Sequence, residues 1–299
     1  MSARVLASLP ADDRLRAVVR GGLHAHGWAG RQGAPGGAPW DADAYGLSRV
    51  DGYVQAQPAT QSAVLQRCAA DQLEEALHIE NIGMAYAAHM LLGSDTIEER
   101  QLYATIAADE ALHHAALTPF VPRFVPRPEA ASTDAPAPFL SLLERLVVEG
   151  DRATRILVVQ VVLEGWGMEH YRGLARRCAD PTLAAVLTRI VDDEARHHGS
   201  GVILAPRLPA GDAAVDVLTS FLDMVRVGPQ AVLAALIGCV GPMSRPERIT
   251  ALSQLRTEDH AGAQLLLIRR LLEKAGATAI VAALHSRGRF RPLTAEEAA

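Results

Sequence analysis

Apolar and polar residues follow a helical period over long stretches of this chain, and no useful length alternates with the two-residue period of a strand. One helical pattern runs from about Thr60 to Leu92 and breaks at Gly93-Ser94-Asp95-Thr96. Ser94 or Asp95 can cap a second helix over about 96–117. Thr118 to Phe139 holds six prolines and no periodicity, and reads as a long crossover. A third helix is expected over about 139–178. Asp180-Pro181 makes the next turn, since proline suits a first helical turn but not a helix interior. A fourth helix covers about 181–203 and ends at Pro206 and Pro209. Residues 212–239 and 246–285 read as two or three further helices around Gly241-Pro242, and the tail from Ser286 as loose. Ahead of the first long helix, 1–19 reads as a short helix capped by Asp12. Residues 20–50, rich in Gly, Pro and Ala with His24, His26, Trp28 and Trp40, read as an irregular arm: a surface tail, or else a lid or dimer arm.

The expected fold is all-α: a four-helix bundle of two hairpins joined by one long crossover. Its units would be 1–58 (N-terminal helix and arm), 59–205 (the bundle) and 206–299 (a helical extension packed on the bundle). Composition agrees. Hydrophobic residues make up 49% of 299, enough for a core, and aromatics only 4%, which suits closely packed helices. A net charge of −5 gives no footprint for nucleic acid or an anionic membrane. No apolar run is long enough to span a bilayer, and Met1 to Arg20 lacks the apolar core of a signal peptide, so a cytoplasmic location is expected. Cys68, Cys178 and Cys239 are odd in number and far apart, which argues against a disulfide framework or a thiolate zinc site.

The chemistry lies in a repeat. Glu80 is followed by Glu110 and His113; Glu164 is followed by Glu194 and His197, each 84 residues on. Flanking residues repeat too: Glu80-Asn81-Ile82-Gly83-Met84 aligns with Glu164-Gly165-Trp166-Gly167-Met168, and Asp109-Glu110-Ala111-Leu112-His113-His114 with Asp193-Glu194-Ala195-Arg196-His197-His198. In an antiparallel hairpin, residues equidistant from the turn share a height. The midpoint of Glu80 and Glu110 is 95 and that of Glu164 and Glu194 is 179, both inside turns, so each pair meets across its hairpin. The i,i+3 spacing of each Glu and His puts both on one helix face, about 4.5 Å apart along the axis. Four carboxylates and two imidazoles make a six-ligand box for two metal ions, and hard oxygens with one imidazole per metal suit iron or manganese. Without cations, four facing carboxylates would repel and be desolvated. Asp109 and Asp193 could accept the free N–H of His197 and His113 respectively, crosswise, fixing each tautomer; the plain alternative is that they are exposed helix acids.

A single Glu-x-x-His occurs by chance about once in a chain this long. Glu75-x-x-His78 is a third instance with no counterpart 84 residues on, and is taken as that chance one. His114 and His198 fit boundary hydrogen bonding better than ligation. Tyr86, Tyr103, Tyr171 and Trp166 fit core packing; the alternatives are a redox-active role or the lining of a substrate pocket. Gly83 and Gly167 lie one turn from the single glutamates, where a mid-helix glycine costs about 1 kcal/mol and implies close helix approach or room for a substrate. Gly83, Tyr86, Trp166 and Gly167 are therefore the candidate pocket. Glu258-Asp259-His260 has helix-surface character, with a second metal site as the alternative.

This pattern, over about Thr60 to Leu204, resembles the ferritin-like dimetal-carboxylate superfamily. The resemblance implies a ferritin-like bundle with Glu80, Glu110, His113, Glu164, Glu194 and His197 as ligands, and Glu110 and Glu194 as the metal-bridging pair. It implies two iron ions, with a manganese–iron centre as the alternative. It also implies a di-iron oxidase or oxygenase that uses dioxygen to hydroxylate, desaturate or N-oxygenate a small organic or biosynthetic-intermediate substrate, with an external electron donor. The alternative within the superfamily is iron handling or peroxide scavenging, as in a ferritin or rubrerythrin. The crossover, arm and C-terminal residues go beyond a minimal storage bundle, and a rubrerythrin's electron-donating cysteine site is absent. Ile190 stands where an arylamine N-oxygenase would carry a third histidine. A homodimer is compatible with the extra amphipathic helices.

Overall fold

A computed structural model describes residues 37–121, 138–208 and 210–299. The expected helix over 1–19, His24, His26 and Trp28, and most of the crossover lie outside these residues. Every regular element among the described residues is helical.

Helix α1 spans Pro58–Leu92, with proline in its first turn. Helix α2 spans Ile97–Leu117 and is capped by Thr96, whose side chain accepts from the Glu99 N–H. The cap is thus Thr96, not Ser94 or Asp95. Thr96 and Glu99 sit at the spacing at which a hydroxyl reaches the N3 amide. The single third helix is corrected as well: the chain forms α3, Pro138–Glu149, then stops at Gly150 and restarts at Arg152. Asp151 starts the new helix by accepting from the Thr154 backbone and hydroxyl, at 2.9 and 2.6 Å. Helix α4 then covers 152–177, made of Arg152–Arg155, a π-helical stretch Ile156–Leu163, and Glu164–Arg177. Helix α5, Pro181–Leu204, is capped by Asp180, which accepts from Thr182 and Leu183.

Where two or three helices were expected over 212–285, the chain forms five: α6 Asp212–Arg226, α7 Gln230–Val240, α8 Arg245–Gln254, α9 Thr257–Lys274 and α10 Thr278–Ser286. The extra breaks fall where the backbone turns left-handed, at Gly228, Arg256 and Gly276. The tail is not loose. Arg291 is ion-paired with Glu297 at 2.9 Å, Leu293 N–H donates to Arg226 O, and Thr294 and Glu297 form a reciprocal cap.

Two apolar clusters fill the bundle. One gathers Ile82, Tyr86, Ile106, Val158, Val162 and Leu204 with α6, α9 and α10 of the extension. The other gathers Ala76, Leu112, Leu187, Val191 and Tyr171 with Trp40. The arm between 37 and 57 is therefore no surface tail. Trp40 is fully buried and donates its indole N–H to Leu174 O at 3.0 Å. On each long helix a glutamate falls between these clusters: Glu80 lies between Ala76 and Ile82, Glu110 between Ile106 and Leu112, Glu164 between Val162 and Tyr171, and Glu194 between Val191 and Leu204. A polar layer is thereby sandwiched between two dry ones.

Candidate dimetal centre and its cavity

The six residues singled out by the repeat meet in that layer. Glu80, Glu110, His113 and Glu194 offer ligand atoms that all lie within 4.8 Å of one another, and Glu110, Glu164, Glu194 and His197 do the same. Glu110 and Glu194 belong to both groups, the place a bridging carboxylate would take. His113 Nδ1 lies 3.1 Å from Glu80 Oε2 and 3.5 Å from Glu194 Oε1. His197 Nδ1 lies 3.3 Å from Glu110 Oε1 and 3.4 Å from Glu194 Oε2. Ligands about 2.1 Å from one ion and at right angles to each other stand about 3 Å apart, so these separations suit atoms arranged around a cation. Neither the Glu75/His78 pair nor Glu258-Asp259-His260 joins a metal-ligand group among the described residues.

The two aspartates reach across the bundle as expected. Asp193 Oδ2 is 3.2 Å from His113 Nε2, and Asp109 Oδ2 is 3.1 Å from His197 Nε2. A carboxylate there holds the proton on Nε2 and leaves Nδ1 facing the carboxylate cluster. Arg196 bridges both aspartates, at 3.2 Å to Asp109 and 2.6 Å to Asp193. Tyr171 donates to Glu80 Oε1 at 2.9 Å. Its position is legible only afterwards: it lies seven residues, two turns, past Glu164 on the same face.

Burial and neighbouring charges shift the groups of this cluster strongly. Burial, then Glu80, pushes the Glu110 carboxyl well above its ordinary range. Burial draws both imidazoles down, but neighbouring carboxylates outweigh it. Glu80 and Asp193 hold His113 up at about 10, and Asp109, Glu110 and Glu164 hold His197 up at about 12. Protons on both histidines thus offset part of the carboxylate charge of the cluster. Glu194 Oε2 and His197 Nδ1 are buried with no hydrogen-bond partner among the described residues. Two unsatisfied ligand atoms aimed into one cluster are costly, and a metal ion satisfies both.

The comparisons with known proteins agree with this geometry. Residues 68–203 match the family model of the ferritin-like domain. This segment is a ferritin-like domain. No curated protein and no solved structure matches the chain. The domain match takes in all six candidate ligands, both aspartates and Tyr171.

The ferritin-like domain also holds a buried network that the repeat did not signal. Gln160 is fully buried and accepts from Tyr86 at 2.7 Å and Tyr103 at 3.0 Å. Its amide donates to Ser200 Oγ at 2.9 Å, and Ser200 donates to His197 O at 2.7 Å. The one sequence sign was a single polar residue inside Ile156-Leu157-Val158-Val159-Gln160-Val161-Val162-Leu163. That stretch is the π-helical one, and π turns concentrate at functional sites. His198 places Nδ1 3.0 Å from Val161 O, which can only accept, so His198 donates there.

A cavity of about 630 Å³ opens beside the centre between α1 and α4, roofed by α6, α7 and α9. All four glutamates contribute to its wall, as do the expected pocket residues Gly83, Tyr86, Trp166 and Gly167. The two glycines differ. A Cβ on Gly83 would stand 2.6 Å from Glu110 Oε2, whereas one on Gly167 meets nothing within 4 Å. Gly83 makes room for a ligand carboxylate, and Gly167 leaves open space. Trp166 stacks edge-on to Phe221, with ring centroids 5.5 Å apart, so the extension finishes the cavity wall.

Among the described residues, no single helix is long and apolar enough to cross a membrane.

Proposed function

We propose that this protein is a dioxygen-dependent di-iron oxidase or oxygenase acting on a small organic molecule held in the cavity. The observation that carries this reading is the cavity itself: its wall includes all four glutamates of the cluster, so a molecule seated there lies against the centre. Glu80, Glu110, His113 and Glu194 would hold one ion, and Glu110, Glu164, Glu194 and His197 the other. Iron bound there supplies dioxygen reduction and the oxidising equivalents, and an external donor supplies electrons.

The chain's own residues do the rest. Asp193 and Asp109 orient the imidazoles, and Tyr171 fixes one oxygen of Glu80. Trp166, Phe221, Leu143 and Val159 give the reacting region an apolar wall, which excludes water and keeps an oxidant from being quenched. A storage protein has no need of an organic-sized chamber against its iron ligands, which favours oxidation of a substrate over iron handling.

The test is anaerobic loading with ferrous iron followed by a dioxygen pulse. Two irons per chain, dioxygen consumed in proportion to the protein and no mineral core are expected. Many irons per chain with mineral formation would move the assignment to iron storage. Failure to take up iron would remove the dimetal reading altogether.

A further inference from the structure

The cavity beside the cluster has two unlike ends. Helices α1 and α4 run antiparallel past it, since Gln72 pairs with His170 at one end and Tyr86 with Gln160 at the other. Toward the first end the wall carries charges of both signs: the carboxylates of Asp43, Asp71 and Glu75 and the guanidinium groups of Arg49 and Arg177. All but Asp71 are exposed, so this end is wet and accepts a polar group of either sign. Toward the second end the wall is Ile82, Phe139, Leu143, Val159, Leu163 and Phe221. Tyr86 lines it too, with its hydroxyl already given to Gln160 at 2.7 Å. Tyr86 lies six residues past Glu80, about 9 Å along α1, so this apolar lobe runs well beyond the carboxylates.

A thin partition closes the lobe. Behind it lies a second void of about 10 Å³, which shares Phe139, Leu143, Leu163 and Phe221 with the cavity. Leu142, Leu146, Val158 and Val217 form the far side of that void. Every residue around it is apolar, and its volume is about the least that holds one water molecule, so it is dry. Three helices build the partition: Phe139 and Leu143 come from α3, Leu163 from α4 and Phe221 from α6. The Phe221 ring centroid lies 5.6 Å from that of Phe139 and 5.5 Å from that of Trp166. Leu143 is 4% exposed and Phe221 2%, so neither swings aside without disturbing the core. A closed apolar lobe rewards hydrocarbon, since each methylene it buries tightens binding about fourfold. The charged end offers no such gain, so a substrate goes in apolar end first.

We propose that Phe139, Leu143, Leu163 and Phe221 gauge the length of the substrate. Its hydrocarbon end passes the glutamates and stops against these four side chains, and the depth of the lobe decides which carbon rests beside the metal ligands. This rests on the reading of the cavity as the substrate chamber.

Calorimetric titration of the full chain with 1-hexanol, 1-octanol, 1-decanol and 1-dodecanol tests this, with the anaerobic ferrous-loaded and metal-free forms run side by side. Affinity is expected to rise about fourfold per methylene up to a limiting length and then level off. Leu143→Ala and Phe221→Ala each join the small void to the lobe. Each should move the limit outward by about two methylenes and raise the ratio of dodecanol to hexanol affinity about tenfold. No binding of any alkanol, no limiting length, or a limit that stays put in folded variants would overturn the proposal. A second readout needs no variant. With manganese(II) in the centre, paramagnetic relaxation of each bound alkanol should peak at the same carbon counted from the methyl end. A peak that keeps its place counted from the hydroxyl would mean that the head sets the register, and would overturn the proposal too. The metal-free titration keeps the two readings apart, because a chain that takes up no iron can still show a length limit that the variants move.

Discussion

The two hairpins of the bundle carry the same residues at the same spacing and put them to different use. In the first, α1 is an uninterrupted α-helix, Glu80 is 1% exposed and held by Tyr171, and Gly83 lies against Glu110. In the second, α4 passes through a π-helical stretch just before Glu164, whose side chain is 12% exposed, and Gly167 borders open space. The residue 84 positions before Gln160 is Ala76, and the one before Arg196 is Leu112, so the polar additions sit in the second half alone. The comparison separates what builds a metal cluster from what gives it a chamber: the first hairpin closes the centre, and the second opens it.

If both halves feed one centre, the shared carboxylates are its weakest points. Glu110→Ala or Glu194→Ala should abolish both irons, since each belongs to both ligand groups, and should remove the thermal stabilisation that iron gives to the wild-type chain. Glu80→Ala or Glu164→Ala should spare part of the metal. Iron per chain measured after desalting decides this, and two irons retained by either bridging variant would remove the ligand assignment. Next come the glycines, where the halves should diverge most plainly. Gly83→Ala drives a methyl to 2.6 Å from Glu110 Oε2 and should cut iron below one per chain. Gly167→Ala should keep two irons and gain about 1 kcal/mol from helix propensity. Equal iron contents in the two variants would erase the distinction between a closed and an open half.

The aspartates should behave alike, because they cross between halves. Asp193→Asn and Asp109→Asn each remove a charge from the outer nitrogen of one imidazole, and each should weaken iron binding about 10- to 100-fold. Competition with a chelator measures it. A variant that binds as tightly as the wild type would return its aspartate to the status of an exposed helix acid.

The carboxylate–histidine cluster was legible in the sequence because its residue types recur at spacings that chance rarely repeats, and because antiparallel hairpins turn sequence distance into height. The four long elements were legible from their periodicity for a similar reason. What escaped depends on contacts between distant segments. Nothing near Gly150 distinguishes a break from a tolerated glycine until Asp151 is seen capping the next helix. Trp40 looked like part of an arm because its partner, Leu174 O, is 134 residues away. Glu75 was set aside as the glutamate of a chance motif, a reading silent about the cavity wall on which it lies. The chamber itself arises from helices of the extension, and the packing of two faces is not written in the period of either.

The π-helical stretch allows the comparison's mildest test. Gln160 holds the hydroxyls of Tyr86 and Tyr103 and ties α4 to Ser200 on α5. Gly201 permits that approach, since a Cβ there would stand 2.6 Å from the Gln160 Cβ. Gln160→Leu keeps the volume and strands two buried hydroxyls, at about 1–3 kcal/mol for each unsatisfied group. Denaturant unfolding should show that loss while iron content stays at two, because the amide touches no ligand atom and reaches His197 only through its backbone carbonyl. Loss of iron together with stability would mean instead that the π turn sets the position of Glu164, and that the two halves differ in how they hold metal as well as in how they admit a substrate.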